Sequence, residues 1–262
     1  MTTASKPAET THAFAGLSLE GRRAIVTGAG RGIGRAVAEL LARRGAEVVL
    51  LARSRGELDD VAAVIAEGDG RAAVIAVDVL DDPSLQRAFE AAGPADILVN
   101  SAGANRPKPL SEITLDDLDL LLGLNVRAVF RATQSFAAQA MRRNVPAVVV
   151  NVSSQMGHVG APSRSLYCAT KHAVEGMTKA LAVELAPHGI RVVSVAPTFV
   201  ETALTRPFLQ DPAASQALLD KLPLGRFGTV DEVAEAVAFV CSPAASLITG
   251  SSVLTDGGWV AQ

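Results

Sequence analysis

The sequence predicts an α/β protein with a doubly wound, Rossmann-like sheet of mostly seven parallel strands and helices on both faces. Short runs rich in Val, Ile and Leu alternate with helical patterns along most of the chain. Strands separated by helices form βαβ units, whose right-handed crossovers cover both faces of a parallel sheet. Aromatic residues make up only 4% of the chain, so the predicted core is aliphatic, as is typical of buried parallel strands.

The apolar runs and the residues that end them place each element in order. Strands are predicted by short apolar runs at 24–27, 48–52, 72–77, 97–99, 147–152, 191–195 and 252–254. Helices are predicted by longer periodic segments at 33–44, 57–67, 84–92, 115–141, 165–186 and 231–240. Gly45, Gly68 and Gly189 end helices, and Thr229 is the predicted N-cap of the last one.

The segmentation predicts one catalytic domain over residues 17–262, preceded by a disordered tail over residues 1–16. The tail has no apolar run of the kind found in secretory signals. Residues 198–228 contain Pro207, Pro212 and Pro223 but no clear strand. A long irregular segment in a compact domain is often functional, and we expect this one to be a substrate lid.

Composition excludes several classes of function. A formal net charge of −3 gives no reason to expect nucleic acid or an anionic membrane as a partner. No run of 18 or more apolar residues predicts a membrane span. The four histidines and two cysteines lack metal-ligand spacing, so we expect no metal. Cys168 and Cys241 form no disulfide framework, which favours a reducing, cytoplasmic location.

A glycine-rich turn joins the first predicted strand to the first helix. Its residues from 28 to 34 are Gly28, Ala29, Gly30, Arg31, Gly32, Ile33 and Gly34. Glycine lets a backbone turn tightly and approach a phosphate closely, and a helix N-terminus offers free N–H groups. The G-x-x-x-G-x-G spacing of Gly28, Gly32 and Gly34 differs from the G-x-G-x-x-G of long Rossmann dehydrogenases. We therefore expect Gly28 to Gly34 to bind the phosphates of a dinucleotide.

The end of the second strand bears on the choice between NADP and NAD. An acidic residue at this position usually binds the adenosine ribose of NAD. Here the strand ends in Ala52 and continues with Arg53, while Arg31 lies in the glycine loop. Two guanidinium groups suit a 2′-phosphate. The sequence thus favours NADP(H), and NAD(H) remains the alternative.

Ser154, Tyr167 and Lys171 form the candidate chemical centre. Ser154 follows the fifth strand, and Tyr167 and Lys171 lie four residues apart, so they share a helix face. A nearby ammonium favours the phenolate, so we expect Lys171 to lower the pKa of Tyr167 from its reference value near 10. Such a phenol exchanges a proton with an alcohol or ketone oxygen, and the Ser154 hydroxyl can hold that oxygen.

These motifs together resemble the short-chain dehydrogenase/reductase family. The matching segments are TGAGRGIG at 27–34, NSAG at 100–103, Asn125, Ser154 and YCATK at 167–171. The resemblance runs from about Leu19 to the end of the chain, through PLGRFG at 223–228 and TDGGW at 255–259. It implies a catalytic tetrad of Asn125, Ser154, Tyr167 and Lys171, in which the lysine also holds the nicotinamide ribose and the asparagine fixes a water.

The resemblance also implies further cofactor contacts and a quaternary structure. The matching cofactor positions are Asp78 and Val79 at the adenine, Asn100, Ala102 and Gly103 along the cofactor, Val200 and Thr202 at the carboxamide, and Pro197 after the sixth strand. The family implies a homotetramer formed through helices 115–140 and 165–186. Two positions depart from the family pattern: Ser101 replaces an asparagine and Thr198 replaces a glycine.

The substrate is the least determined part of the prediction. Gln155 and His158 follow Ser154 and are, with Ser154 and Tyr167, the candidate substrate contacts. Their polarity favours a sugar, polyol or sugar acid. The arginine pair would equally suit a 3-oxoacyl or general carbonyl reductase. A non-catalytic nucleotide sensor is a third interpretation, although a sensor has no need of the serine, tyrosine and lysine set.

Overall fold

A computed structural model describes residues 15–202 and 211–262. These residues form one seven-stranded sheet in which every neighbouring pair is parallel. The strands are β1 (Arg23–Thr27), β2 (Glu47–Ala52), β3 (Arg71–Ala76), β4 (Ile97–Asn100), β5 (Ala147–Val152), β6 (Ile190–Pro197) and β7 (Ser252–Thr255). The predicted fold class and all seven predicted strands are confirmed.

Helices connect successive strands and cover both faces of the sheet. The α-helices are α1 (Gly32–Arg43), α2 (Arg55–Glu67), α3 (Asp82–Ala92), α4 (Leu115–Leu122), α5 (Ala128–Arg143), α6 (Ser165–Leu185), α7 (Pro212–Leu219) and α8 (Val230–Cys241). Short 3-10 helices are Ala15–Leu17, Leu110–Glu112, Gln155–Gly157, Ala186–His188, Pro243–Ala245 and Trp259–Ala261. Side chains cap several of these helices; Thr229 and Glu232 form the capping box of α8, at the predicted N-cap.

The predicted long helix over residues 115–141 is helical throughout but not regular. A π-helical turn, Gly123–Arg127, separates α4 from α5. Such turns insert an extra residue into the helix and are frequent at functional sites. This one contains the buried Asn125. The sequence periodicity does not reveal it, because the apolar pattern continues across the turn.

The predicted tail and lid fall partly outside the described residues. Residues 1–14 and 203–210 are not described, and the last two positions of the predicted tail belong to the 3-10 helix Ala15–Leu17. The predicted lid segment contains α7, so it is not wholly irregular. Its two ends meet, because Val200 and Gly228 form an isolated parallel bridge.

The strand order β3-β2-β1-β4-β5-β6-β7 creates a topological switch point between β1 and β4. Crossovers from β1 proceed to one side through β2 and β3, whereas the chain from β4 proceeds to the other side. In open α/β sheets a crevice forms at such a point, outside the carboxyl ends of the strands. Two hydrophobic clusters, one on each face of the sheet, hold the helices against the strands. One includes Val37 and Val237, and the other includes Phe89 and Phe136.

A buried polar network ties the central strands to the helices below the crevice. The Asn100 amide donates to Thr133 Oγ1 at 3.0 Å and to Asn151 Oδ1 at 2.9 Å. The Asn151 amide in turn donates to Thr178 Oγ1 at 2.9 Å. All four side chains are at most 3% exposed. Because buried polar groups are costly when unpaired, this network specifies how α5 and α6 pack on β4 and β5.

Thr178→Val should destabilise the protein, because it leaves the Asn151 amide without its acceptor. We expect a loss of about 1–3 kcal/mol in the free energy of unfolding, measured by urea denaturation. Thr255→Val is the matched control, since the Thr255 hydroxyl is buried without a partner, and it should leave stability unchanged or raise it. Equal losses in the two variants would contradict the role assigned to the network.

Candidate active site

A cleft of about 950 Å³ opens at the carboxyl ends of the strands, around the switch point. Nearly all of the predicted cofactor-binding residues line it. They are Gly28, Gly30, Arg31, Gly32, Ile33, Gly34, Arg53, Asp78, Val79, Ala102, Gly103, Tyr167, Lys171, Pro197, Val200 and Thr202. Ser154 also lines the cleft. The topology thus brings residues from seven separate stretches of sequence to one cavity: 28–34, 53, 78–79, 102–103, 154, 167–171 and 197–202.

The glycine loop lies against the turn that follows β4. Gly28 has φ +68°, and a Cβ there would lie 2.8 Å from Ala102 Cα. A Cβ on Gly34 would lie 2.2 Å from the Gly28 carbonyl oxygen. Thr27 fixes the facing turn, since its Oγ1 accepts the N–H groups of Ser101 and Ala102. Side chains are therefore excluded at both glycines, and the N-terminus of α1 stays open to the cleft.

Charged side chains of both signs lie at the glycine-loop end of the cleft. Arg31, Arg53 and Ser54 line it, as the sequence predicted for the two arginines. Glu57 also lines it, and a Cβ on Gly30 would lie 3.0 Å from Glu57 Oε2. A carboxylate therefore lies near the two arginines, although the strand itself ends in Ala52 and Arg53. Glu57 comes from the first turn of α2, which sequence reasoning treated only as a helix start.

Tyr167, Ser154 and Lys171 converge on the opposite part of the cleft. Lys171 Nζ donates to the Val152 carbonyl at 2.9 Å and lies 5.7 Å from the centroid of the Tyr167 ring. The Ser154 hydroxyl interacts with the Tyr167 phenol and lowers its pKa. Because Lys171 is only 7% exposed, its ammonium is fixed between the end of β5 and the tyrosine ring.

The expected lowering of the Tyr167 pKa is not found in the protein alone. Desolvation by the cleft wall raises the pKa of Tyr167 to about 12, against smaller lowering effects of Ser154 and Arg164. Desolvation likewise lowers the pKa of Lys171 to about 8, against the opposing charge of Glu175. The expected lowering is wrong because burial of the two groups outweighs their proximity. In the absence of another charge, Tyr167 is a proton donor.

Asn125 lies behind the cleft wall rather than in it. Its amide nitrogen donates to the Ala104 carbonyl at 2.9 Å and to Thr170 Oγ1 at 3.1 Å, and its oxygen accepts the Ala104 N–H at 2.9 Å. Thr170 in turn donates to the Tyr167 carbonyl at 2.8 Å. The side chain therefore connects the turn after β4 to the helix that carries Tyr167. Its predicted role in fixing a water stays a prediction.

Three predicted contacts do not line the cleft. Asn100 points into the network below it, where its hydrogen bonds position β4. Gln155 is 1% exposed, and both of its amide atoms are buried without a partner. His158 points away from the cleft, with its Nε2 3.0 Å from Ser252 Oγ and 3.4 Å from Glu175 Oε1. The assignment of His158 to the substrate is wrong, because the loop between Ser154 and α6 turns the His158 side chain away from the cleft.

Sequence reasoning missed part of the cleft wall. Both departures from the family pattern, Ser101 and Thr198, line the cleft. Thr198 has no positive φ, so a glycine is not required there. Its Oγ1 is buried without a hydrogen-bond partner. Asn105 and Arg106 also line the cleft.

Comparison with known proteins agrees with this geometry. Residues 28–260 match the family model described as enoyl-(acyl carrier protein) reductase. The L-xylulose reductase of Bos taurus is 41% identical, over 94% of this chain and 99% of that protein. The gluconate 5-dehydrogenase of Gluconobacter oxydans is 38% identical, over 92% and 95%. A gluconate 5-dehydrogenase from Burkholderia cenocepacia, crystallised with NADP and tartrate, superposes with a TM-score of 0.92 at 33% identity, over 96% and 100%.

The chain belongs to the short-chain dehydrogenase/reductase family. It is therefore an oxidoreductase, as the motifs predicted. The cleft also fits a dinucleotide on its own evidence, because the glycine loop lines it at the N-terminus of α1 and Thr198 presents a buried hydroxyl without a hydrogen-bond partner. Within the two described ranges, no cluster of three or more His, Cys, Asp or Glu could hold a metal ion, and no helix is long and apolar enough to cross a membrane.

Lys171→Met should stabilise this short-chain dehydrogenase/reductase at pH 7. The substitution removes a desolvated charge, which outweighs the lost hydrogen bond to Val152, and we expect a gain of about 1–2 kcal/mol in urea denaturation. The lysine titrates at about 8 in the folded chain and near 10.5 when unfolded, so the unfolded chain binds more protons between these values. Wild-type stability then rises with pH across that window, and the advantage of the variant should shrink.

Lys179→Met is the control for this measurement, because Lys179 lies on the same helix but is exposed. It should show no pH-dependent difference from the wild type between pH 8 and 10.5. A Lys171→Met variant that is less stable than the wild type by the same amount at pH 7 and pH 10.5 would contradict the desolvation of Lys171.

Proposed function

We propose that this protein is an NADP(H)-dependent oxidoreductase that interconverts a secondary alcohol and a ketone on a sugar, polyol or sugar acid. The observation that carries the proposal is the convergence of Ser154, Tyr167 and Lys171 on a cleft that begins at the glycine loop. Its relatives support the substrate class, since they include an L-xylulose reductase and gluconate 5-dehydrogenases. NAD(H) remains the alternative cofactor.

Residues along the cleft are assigned to successive parts of the dinucleotide. Gly28 to Gly34 bind the pyrophosphate at the N-terminus of α1, and Arg31 with Arg53 binds the 2′-phosphate. Asp78 and Val79 contact the adenine, whereas Ala102 and Gly103 line the path to the nicotinamide. The nicotinamide end is held by Lys171 at the ribose and by Pro197, Val200 and Thr202 at the carboxamide. Apart from Ala29, which is buried in the core, each of these residues lines the cleft.

The proposed chemistry follows from the protonation of Tyr167. In ketone reduction, the protonated phenol donates its proton to the ketone oxygen while a hydride adds to the carbonyl carbon, giving the alcohol. In alcohol oxidation, the hydroxyl proton passes to the phenolate, the C–H bond breaks and the hydride leaves. When bound, the cofactor supplies or accepts the hydride, and its oxidised form adds a positive charge that favours the phenolate. Ser154 holds the substrate oxygen and Asn125 positions the turn above it.

Two observations bear on the finer assignments of assembly and location. Large apolar side chains lie exposed on α4 and α5, among them Leu115, Leu122 and Phe130. They support a homotetramer in which these helices and α6 pair with those of other subunits, and sedimentation equilibrium would measure the subunit number. Cys168 and Cys241 are free thiols, which supports a cytoplasmic location.

A 3-oxoacyl or general carbonyl reductase is the second candidate, because the relatives also include a 3-ketoacyl-(acyl-carrier-protein) reductase from Brucella melitensis at 36% identity and a carbonyl reductase of Sus scrofa at 38% identity. The same reacting groups would serve that substrate. A non-catalytic nucleotide sensor has less support, since a sensor does not need a lysine held beside a desolvated phenol. A panel of polyols, sugar acids and β-ketoacyl thioesters separates these candidates by turnover.

Tyr167→Phe should lower kcat on the best substrate by about 10²- to 10⁴-fold, because the substitution removes the proton that the reaction transfers. Affinity for NADPH, measured by fluorescence titration, should change by no more than a few-fold and serves as the control for an intact cleft. Unchanged turnover in Tyr167→Phe would refute the proposed mechanism.

Arg53→Ala should weaken NADPH binding by about 10- to 100-fold and leave NADH binding nearly unchanged, because a charge-assisted contact to the 2′-phosphate is lost. Arg55→Ala is the matched control, since Arg55 lies in the same turn, pairs with Asp59 at 2.9 Å and does not line the cleft. A wild-type preference for NADH, or equal effects of the two substitutions, would contradict the assignment of Arg53.

A further inference from the structure

Glu175 is a buried carboxylate that the proposed reaction leaves unused. It lies on α6, four residues after Lys171 and eight after Tyr167, and it is 5% exposed. Residues four apart share a helix face, so Glu175 neighbours Lys171, whereas Tyr167 lies two turns away. A carboxylate is seldom buried unless charges or hydrogen-bond donors surround it. The groups around Glu175 therefore determine what it does.

Three side chains from other elements hold the Glu175 carboxylate. Its Oε2 accepts the Ser194 hydroxyl of β6 at 2.7 Å, and its Oε1 accepts the Ser252 hydroxyl of β7 at 3.3 Å. His158 Nε2 lies 3.4 Å from the same Oε1 and 3.0 Å from Ser252 Oγ. The carboxylate is thus fixed from two strands and from the loop that follows Ser154.

The loop after Ser154 packs directly on this part of α6. A Cβ on Gly157 would lie 2.9 Å from Glu175 Cγ and 3.0 Å from the Lys171 carbonyl oxygen. A side chain at Gly157 would therefore push the loop away from the helix turn between Lys171 and Glu175. The close approach keeps water away from this turn, which strengthens the interaction of charges across it.

Glu175 acts on Lys171 through its charge. Lys171 Nζ donates to the Val152 carbonyl at 2.9 Å, and the ion-pair partner of Glu175 among the described residues is His158. Burial lowers the pKa of Lys171 to about 8, and the negative charge of Glu175 opposes that shift. Charges interact without direct contact where little water screens them. The carboxylate therefore keeps the lysine protonated to a higher pH than burial alone would allow.

Other titratable groups on α6 do not share this role. Tyr167 faces the lysine, with its ring centroid 5.7 Å from Lys171 Nζ. Cys168 and the N-cap residue Arg164 act on the pKa of Tyr167, whereas the charge that acts on the pKa of Lys171 is that of Glu175. The other charged or imidazole side chains of the helix are exposed, namely His172, Lys179 and Glu184.

The elements packed against α6 add little charge near the pair. Strands β6 and β7 contribute the uncharged hydroxyls that bind the carboxylate, and the loop contributes His158. On α4, the buried Asp117 is engaged by Arg106 and Lys108. On the π-helical turn, Arg127 donates to the Leu80 carbonyl. Glu175 is thus placed to set the charge of Lys171.

We propose that Glu175 is a positioning residue for the reaction, which holds Lys171 in its ammonium form so that the lysine can stabilise the Tyr167 phenolate. His158, Ser194 and Ser252 keep the carboxylate in place for this role, so His158 serves the reaction without touching the substrate. The inference rests on the proposed function, because it concerns the same tyrosine and lysine. The direct effect of Glu175 on the phenol is smaller, since Tyr167 lies two helical turns away.

Glu175→Gln removes the charge and keeps the size of the side chain. In alcohol oxidation kcat rises with pH, because the phenolate accepts the proton. A lysine that loses its charge more easily supports the phenolate less, so this rise should move up by about one pH unit. On the acidic side of the rise, kcat should fall about 10-fold, while KM and the Kd of NADPH stay within about 2-fold.

Two further variants separate the charge of Glu175 from its packing. Glu175→Asp keeps the charge and shortens the side chain, and it should recover most of the wild-type pH profile. Glu184→Gln is the matched control, because Glu184 is exposed on the same helix, and it should leave the profile unchanged. A residue needed only for packing would instead give equal losses in Glu175→Gln and Glu175→Asp at every pH.

Urea denaturation measures the same interaction without turnover. The interaction exists only while Lys171 is protonated in the folded chain, and that lysine titrates at about 8. The stability of Glu175→Gln relative to the wild type should therefore be lower at pH 7 than at pH 10. In a Lys171→Met background this dependence on pH should vanish. Both backgrounds retain His158, so its titration does not enter the comparison.

The failures of the two proposals are distinguishable. An unchanged pH profile in Glu175→Gln, or an effect on stability with the same pH dependence in both backgrounds, would overturn the role of Glu175 and leave the proposed function standing. Full turnover in Tyr167→Phe would overturn both. Melting temperatures show whether each variant folds, and Glu175→Met removes the charge by a second substitution, so either variant decides the test.

Discussion

The parallel direction of all seven strands is the constraint on which the rest of the structure depends. It places every carboxyl end on one edge of the sheet, so loops far apart in sequence meet at one cleft. The buried amide nitrogens of Asn100 and Asn151 make this arrangement specific, because they find their acceptors only when α5 and α6 pack in one position. The position of Tyr167 on α6 follows from that packing, as does its distance from Ser154 at the end of β5.

Desolvation determines the pKa values of the side chains that the fold positions in this way. The cleft wall raises the pKa of Tyr167 and lowers that of Lys171, so each charged form is disfavoured in the protein alone. A positive charge brought by the cofactor would then have a large effect on the phenol, since little water screens it. The cost falls on stability, because a buried lysine destabilises the fold at neutral pH. Burial of the catalytic Lys171 therefore lowers the free energy of unfolding of the domain that positions it.

The fold and the course of the cleft could be predicted from the sequence, whereas the direction of individual loop side chains could not. Strand and helix periodicity fixes the order of elements, and the family motifs fall at strand ends. His158 and Gln155 were assigned by their distance from Ser154 along the chain, but a 3-10 turn directs them behind the wall. Glu57 was overlooked because it lies on helix α2, far from the glycine loop in the sequence. Its side chain approaches Gly30 of that loop only in the folded structure. The pKa of Tyr167 was misjudged because the spacing of Tyr167 and Lys171 in the sequence does not show how deeply the two side chains are buried.

The distribution of charge explains how an acidic protein can hold an anionic cofactor. The chain has a net charge of −3, yet Arg31 and Arg53 both line the glycine-loop end of the cleft. Local potential and not net charge governs which ligands enter a cleft. A dinucleotide phosphate anchored at this pair would fix the cofactor from its outer end. Its nicotinamide would then be oriented toward Tyr167, where orientation contributes most to the rate.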